Sequence, residues 1–319
     1  MTHDGRPSLV LLIPAYNEEA RIGPVLRRYA EYFRAHYAGR FEIVVVLNGC
    51  RDNTMGVVEA AAAEFPEIRA LEFARPIGKG GAIIEGLKLA QIADLIGYVD
   101  ADGATAPDAF LDLVKHCRDG VDCAIGSRWL PGAVLIQSQS LKRRLFSRCF
   151  HIFVELLFRM HIKDTQCGAK VMRREAVEAV HSYLRIADVA FDINLLYSIK
   201  RAGFTIQEAP TVWTDQIGSK INLNKGSLGI LLSVVRLRLI YSPFYALLRP
   251  LRPLEGWIYR KLSAPQPLSG PAIKKAETPR STPACGGSAK PGGAGVPPPE
   301  AAPLTEPVPE KKGSPLAGA

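Results

Sequence analysis

The chain has 319 residues, of which 47% are hydrophobic and 22% charged, with a formal net charge of +9. That size and apolar fraction suit one or two domains with a substantial core and exclude a chain disordered throughout. The charge is gathered: residues 140–174 hold nine Lys/Arg against Glu155 and Asp164, and residues 220–261 hold eight against Glu255. Both segments are also strongly apolar, which favours an anionic membrane surface over nucleic acid.

In chain order, residues 8–16 (SLVLLIPAY) predict a short strand closed by Pro14, and residues 17–37 a helix whose Asn-Glu-Glu start suits an N-terminus. FEIVVVL (41–47) predicts a second buried strand, with a turn at Asn48-Gly49. Residues 52–64 read as helix, 69–74 as strand, 78–93 as a glycine-started helix, 95–99 as strand, 107–118 as helix and 121–126 as strand. Strands alternating with helices predict a parallel sheet with helices on both faces, whose ligands bind outside the carboxyl ends of the strands. Pro14, Asn48 and Asp100 all fall at that edge. From about Ser263 the composition turns to Pro, Ala, Gly and Ser with scattered charge, which predicts a disordered tail. The six cysteines show no CxxC pairing or metal-finger spacing, and MTHDGRPSL lacks the charged start and apolar stretch of a signal peptide. A reducing cytoplasm is the expectation.

The strand at 95–99 ends in Asp100-Ala101-Asp102 and then Gly103. Carboxylates at a strand end cost desolvation unless something pairs with them. A turn or helix cap is one answer, since Asp serves in both; a divalent cation on hard oxygen ligands is the other. Nearby, Gly78-Lys79-Gly80-Gly81 opens a helix, offering free backbone N–H groups and a cation to an anion. It is not a P-loop, because GxxxxGK[ST] is absent, and tight packing of the helix entry on the sheet explains the glycines equally well.

PAYNEE at the first strand end, GKGGA at a helix start, DADGAT after a strand, GSR (126–128), DTQCGAK (164–170), AFDINLLY (190–197) and WTDQIGSKI (213–221) stand in order along the chain. Together, over about residues 8–240, they resemble glycosyltransferase family 2, and within it the branch acting on polyprenyl phosphates, most closely the dolichyl-phosphate glucosyltransferases. The resemblance implies an α/β fold of GT-A type: a mostly parallel twisted sheet flanked by helices, with amphipathic membrane-surface helices and a disordered tail after it. It implies an inverting transfer of a hexose, glucose or mannose, from a UDP- or GDP-sugar to polyprenyl phosphate, with Mg²⁺ or Mn²⁺. Carried over position by position, Pro14, Ala15, Tyr16, Glu18, Asn48 and Ala101 line the nucleotide-sugar pocket, Lys79 sits near the diphosphate, and Asp100 and Asp102 hold the metal. Arg128, Lys170, Ser219 and Lys220 face phosphates, and Asp164 and Gln166 the sugar or the acceptor phosphate. Asp192 is a second candidate for an acceptor-side carboxylate. No general base is assigned, because a phosphate monoester with a second pKa of about 6 is already largely dianionic at neutral pH. The family often carries Asp-Asp-Gly-Ser after its second strand, where this chain has Leu47-Asn48-Gly49-Cys50, so the base is left open.

The implied domains are 1–222 for the transferase, 223–262 for a membrane-associated segment and 263–319 for the tail. Within the first, residues 145–162 place Phe146, Cys149, Phe150, Phe153, Leu156, Leu157 and Met160 at helical spacing, in an amphipathic helix spanning about 141–162 that opens on Lys142-Arg143-Arg144. Residues 226–251 hold two uncharged runs separated by Arg236 and Arg238, too short to span a bilayer and divided by Pro243. The expectation is a peripheral or monotopic protein on the cytoplasmic face of a membrane. Trp213 suits stacking on a sugar or isoprenoid and core packing equally. Cys167 reads as a packed thiol, and His151 and His161 as solvated. Two other classes stay open: the same donor machinery with a glycolipid or soluble acceptor, and a non-catalytic membrane-associated scaffold. The pattern specifies no oligomeric state.

Overall fold

The computed structural model describes residues 6–136, 141–188, 190–214 and 223–242. The apolar runs form strands β1 (Leu9–Ala15), β2 (Phe41–Asn48), β3 (Ile68–Phe73) and β4 (Leu95–Tyr98), followed respectively by helices α1 (Ile22–His36), α2 (Thr54–Glu64), α3 (Lys79–Leu87) and α4 (Pro107–Arg118). The chain continues through β5 (Cys123–Ser127), β6 (Val134–Leu135), α5 (Leu141–Phe158), β7 (Lys170–Arg173), α6 (Arg174–Val180), α7 (Phe191–Arg201), β8 (Ile206–Pro210), β9 (Val212–Trp213) and α8 (Leu223–Ile240). Seven strands form one sheet in the order β3-β2-β1-β4-β7-β5-β8, and β6 pairs with β9 in a separate two-stranded sheet.

Alternation splits the central strand between two cores, as a strand buried on both faces requires. Leu9, Leu11 and Ile13 pack with Tyr29 and Phe33 of α1 and Phe110 of α4. Val10 and Leu12 face the other way, into a core with Ile83 of α3, Phe158 of α5, Phe191 and Leu195 of α7, and Val234 of α8. β1 also runs one residue beyond Pro14. Val99 donates to the Leu12 carbonyl, so the backbone of Pro14, two residues on, faces β4's side past its last register pair with β1, Leu12↔Tyr98. The missing N–H therefore costs no ladder bond.

Several expectations are corrected. The wholly parallel sheet predicted by alternation gives way to the mostly parallel one the resemblance implied, with β7 antiparallel between β4 and β5. Helix α1 starts at Ile22, not at residue 17: Asn17 adopts φ 55, and the N–H groups of Arg21 and Ile22 both close on the Glu18 carbonyl, making a turn first. Helix α3 ends at Leu87, and residues 88–92 continue as a 3₁₀ turn. In α5 the predicted stripe divides. Val154 and Phe158 are buried with Phe150, Phe153 and Leu157 against them, while Cys149, Ile152 and Leu156 face out, Leu156 at 73% exposure. The helix is apolar on two sides, and the core takes one. Met160 and Ile162 are buried beyond its end, after Arg159 and His161 take φ of 50 and 58. α8 docks beside α5, with Val234 and Leu237 buried and the Arg238 Nε donating to the Leu157 carbonyl at 2.9 Å. No helix of the described residues is long and apolar enough to cross a membrane. The predicted tail and the segment after Ser242, Pro243 included, lie outside the described residues.

Candidate active site

Three strand ends meet at the carboxyl edge of the sheet. Ala15, the last residue of β1, is buried, and Tyr16 after it stands 40% exposed. Pro14 is half-buried. This loop is laced to the one preceding α2: the Glu18 N–H donates to Thr54 Oγ1, the Arg51 N–H to Asn17 Oδ1 and the Asn53 N–H to Glu19 Oε2. The Glu18 carboxylate is held by Arg21 at 2.6 Å. Asn48, expected toward the nucleotide, is buried and accepts the Ile77 N–H through Oδ1 at 2.7 Å. It therefore positions the turn that leads into α3.

That turn delivers Lys79. Gly80 is obligatory behind it, because a Cβ there would lie 2.6 Å from Phe191 Cβ and 2.8 Å from the Ala187 backbone. The helix entry is thus tightly packed on its surroundings, and Lys79 leaves it toward the strand-end carboxylates. Lys79 Nζ reaches Asp100 Oδ1 at 2.5 Å. Ala101 is buried between the carboxylates. Asp102 Oδ1 accepts the Ala104 N–H at 3.0 Å, and burial together with the neighbouring Asp100 charge pushes its carboxyl above the ordinary aspartate range. Two crowded hard-oxygen donors, each with oxygen capacity to spare, suit a divalent cation whose remaining ligands are phosphate and water. Among the described residues no third metal-ligating side chain joins them. Gly168 packs directly on the Asp100 carboxylate, where any Cβ would collide with it.

Beneath this layer lies a buried triad. Asp192 Oδ1 accepts from Tyr98 Oη at 2.5 Å and from Lys170 Nζ at 2.6 Å, and Lys170 also donates to the Cys167 carbonyl at 2.5 Å. Lys170 is fully buried, so it serves as counter-ion to Asp192 and anchors residues 164–170, a different placement from the phosphate-facing one expected. Asp192 is likewise buried. Burial opposes its charge, but Lys170 and Lys79 outweigh that and hold it below the usual carboxylate range. Burial, with Asp192 adding to it, pushes the Tyr98 phenol well up. Burial also lifts the Cys167 thiol to about 11, which makes it a packed thiol at neutral pH, as expected.

To one side, Arg128 and Asp164 form a two-pronged pair with Nε and Nη2 contacts of 2.7 and 2.9 Å, and the Arg128 N–H adds a third bond at 3.0 Å. Asp164 is 3% exposed, and its N–H is held by Glu208. The Arg128 guanidinium lies 5.0 Å from the Trp213 ring centroid. The Thr105 backbone bridges Trp213, and the Thr214 N–H donates to the Ala104 carbonyl, so β9 closes on the loop that carries Asp102. Gln166 sits half-buried in the same turn. Ser219 and Lys220 lie outside the described residues. Sequence reading missed Tyr98 and Glu208; Tyr98 carried a signal, by sharing the strand parity of Asp100, and Glu208 none.

This fold and rim define a class, and the comparisons agree. The family model for glycosyl transferase family 2 matches residues 10–180, and the chain belongs to that family: it is a glycosyltransferase of the nucleotide-sugar class. Among curated relatives, the glycosyltransferase AglD of Haloferax volcanii is 33% identical over 71% of this chain, which spans 36% of AglD's own length. The dolichyl-phosphate beta-glucosyltransferase of Dictyostelium discoideum is 32% identical, covering 73% of this chain and 74% of the relative. In fold, the chain is similar to glucosyl-3-phosphoglycerate synthase of Mycobacterium tuberculosis, crystallised with Mn²⁺, UDP-glucose and phosphoglyceric acid. The TM-score is 0.55 at 15% identity, covering 73% of this chain and 80% of that one. The GT-A architecture is therefore the chain's own.

Proposed function

We propose that this protein transfers a hexose, glucose or mannose, from a UDP- or GDP-sugar to polyprenyl phosphate, with inversion at the anomeric carbon and with Mg²⁺ or Mn²⁺ on the donor. The observation that carries the reading is Lys79 and Asp100 in contact beside Asp102, at the edge where an α/β sheet binds ligands. The similarity to the dolichyl-phosphate beta-glucosyltransferase supports the acceptor. Asp100 and Asp102 would hold the divalent ion, which when bound would neutralise charge on the departing nucleotide diphosphate. Lys79, its side chain 48% exposed, exchanges its carboxylate partner for a diphosphate oxygen. Tyr16 and Glu18 wall the nucleotide side. Arg128, fixed by Asp164, keeps its remaining N–H groups for the acceptor phosphate, with Ser219 and Lys220 as further contacts. Asp192 takes no proton in this scheme, since the acceptor phosphate arrives largely deprotonated. It holds Lys170 and steadies Lys79 instead.

In this reading the protein works as a peripheral or monotopic enzyme on the cytoplasmic face of a membrane; no helix of the described residues is long and apolar enough to cross one. Residues 223–262 together with α5 are the segments read as meeting the lipid. Ile152 and Leu156 on α5, and Leu232, Val235 and Leu239 on α8, are exposed apolar side chains in support of that reading. The test is a transfer assay on detergent-purified protein with short polyprenyl phosphate, with Mn²⁺ or with chelator. UDP-glucose, UDP-galactose, UDP-N-acetylglucosamine and GDP-mannose are offered in turn. An organic-extractable product from one hexose donor, lost with chelator, is expected. Donor binding without a lipid product would move the acceptor to a glycolipid or soluble molecule, and neither would favour a non-catalytic scaffold.

A further inference from the structure

A cavity of about 760 Å³ lies away from the donor rim, where the ends of α6, α7 and α8 meet. Tyr183, Arg185, Ser198, Arg201, Ile240 and Tyr241 are among its walls. Arg185, Arg201 and Tyr183 are exposed, Tyr183 at 58%, so the cavity opens to its surroundings. A volume of this order accommodates a small-molecule-sized group. Helix α7 carries Asp192 in its first turn and Arg201 as its last residue, so roughly 14 Å of helix separates them. A ligand here is therefore distinct from the donor and acceptor proposed for the rim.

Arginines elsewhere in the molecule sit on carboxylates: Arg21 on Glu18, Arg34 on Glu67, Arg174 on Asp94. Among the described residues neither Arg185 nor Arg201 meets one. Both are nevertheless held in place. The Arg201 guanidinium lies 5.3 Å from the Tyr241 ring centroid and 5.9 Å from that of Tyr197, and the two rings stand edge to face at 4.9 Å. A guanidinium resting on ring faces keeps its N–H donors for an acceptor in its own plane. Arg185 is fixed at its backbone, whose N–H donates to Asn194 Oδ1 at 3.1 Å. The same buried Asn194 donates through Nδ2 to Tyr241 Oη at 2.9 Å, and Tyr241 Oη meets the buried Ser198 Oγ at 2.6 Å. One amide thus fixes both the loop that bears Arg185 and the ring against which Arg201 lies.

We propose that this cavity binds the phosphate headgroup of an anionic phospholipid, with Arg185 and Arg201 on the phosphate oxygens. Two guanidiniums that meet no carboxylate among the described residues call for an anion, and their planar forks match phosphate. The other walls decide for a lipid over a free phosphate. Val180, Ala202 and Ile240 offer apolar surface that an inorganic anion does not use, and an exposed tyrosine such as Tyr183 suits the headgroup level of a bilayer. Ile240 follows Leu239 directly, so the cavity continues the exposed apolar row of α8, Leu232, Val235 and Leu239. Arg185 and Arg201 also stand outside both strongly basic segments of the sequence, so their charge is added at this point alone. The inference deepens the membrane reading given above and depends on it.

The experiment is flotation of the full-length protein with vesicles of phosphatidylcholine, alone or with phosphatidylglycerol added. Arg185→Gln with Arg201→Gln removes both cations. Arg185→Lys with Arg201→Lys keeps the charge and loses the fork, which separates a built site from diffuse attraction. Arg27→Gln with Arg34→Gln, on α1 across the sheet, removes the same charge remotely. Wild-type protein should bind the anionic vesicles more tightly than the neutral ones. The Gln pair should lose on the order of 10- to 100-fold in affinity for the anionic vesicles and the Lys pair roughly 3- to 10-fold, while the α1 pair binds as the wild type does. A Lys pair equal to wild type, or an α1 pair that falls as far as the Gln pair, would overturn the site and leave the membrane reading standing. Inorganic phosphate that raises the melting temperature of the wild type but not of the Gln pair, with equal flotation of the two, would give the cavity to a free anion instead. Wild-type protein that floats with neither vesicle would overturn both the site and the membrane reading.

Discussion

Lys170 has no exposed surface and spends its ammonium on Asp192 and on the Cys167 carbonyl, so its removal strands a buried carboxylate. Lys170→Met should lower unfolding stability by roughly 3–5 kcal/mol, the usual consequence of breaking one side of a buried pair. Lys170→Met combined with Asp192→Leu should recover part of that loss, because no uncompensated charge remains. Urea titration of both variants checks this, and a double variant no more stable than the single would contradict the pairing. Gly168 makes the complementary case, since its missing Cβ is space that the Asp100 carboxylate occupies. Gly168→Ala should displace that carboxylate from Lys79 and cut sugar transfer by roughly 10- to 100-fold, the scale of a small misplacement at a reacting centre. The melting temperature should shift little, because only the end of one side chain must move. Equal rates for Gly168→Ala and wild type would remove Asp100 from the donor site. Asp100 and Asp102 drew notice because carboxylates after an apolar run cost desolvation unless paired, and the structure pairs Asp100 with Lys79. Lys170 was misplaced because the charge that makes a buried lysine tolerable, Asp192, stands 22 residues after it, and Tyr98, which shares that carboxylate, 72 before.

At the scale of elements, the first four strand–helix units were legible because long apolar runs alternate with 3.6-period helices. β7 was not: four residues with polar ends carry too little pattern, and its antiparallel placement is decided by strands distant in sequence. β6 and β9, two residues each, are set by their pairing with one another. The faces of α5 could not be read because the helix is apolar on both sides. The start of β4 also holds a staple that no local pattern announces. Asp94 accepts the Ser8 N–H and hydroxyl at 2.8 Å each and meets Arg174 at 2.9 Å, joining β1, β4 and α6. Burial opposes ionisation there, but the Ser8 hydrogen bonds and Arg174 prevail and hold it below the usual carboxylate range. A carboxyl depressed on folding contributes stability above its unfolded pKa and loses it as pH falls through the folded value. Asp94→Asn should therefore be less stable than wild type at neutral pH by roughly 1 kcal/mol, the worth of a modest, partly exposed carboxylate cluster. The two unfolding curves should converge below about pH 3.8. A gap that stays constant down to pH 2 would show that packing, not charge, holds this corner.

For the whole molecule the decisive question is how a chain with no spanning helix among its described residues would reach the lipid acceptor proposed for it. Two forces are available, and they respond differently to conditions. The basic charge of residues 140–174 and 220–261 attracts an anionic surface at about 1 kcal/mol per Lys or Arg near it, an attraction that fades as salt shortens the screening length. The exposed apolar rows, Ile152 with Leu156 and Leu232 with Val235 and Leu239, bind by burial, which salt does not weaken. Flotation with liposomes containing anionic lipid should thus show partial loss of binding on raising salt from low to near-molar concentration, with a salt-resistant remainder. Leu156→Glu combined with Leu239→Glu should abolish that remainder, since each change removes apolar burial worth roughly 1.5–3 kcal/mol and adds a charge of the wrong sign. Both side chains point away from the core, so the double variant should melt with the wild type. It should still transfer sugar to a short, water-dispersed polyprenyl phosphate, because neither residue borders the donor rim. Flotation unchanged in the double variant would assign attachment to other residues. Transfer lost on the dispersed acceptor as well would show that α5 and α8 act on the reaction itself and not only on where the protein sits.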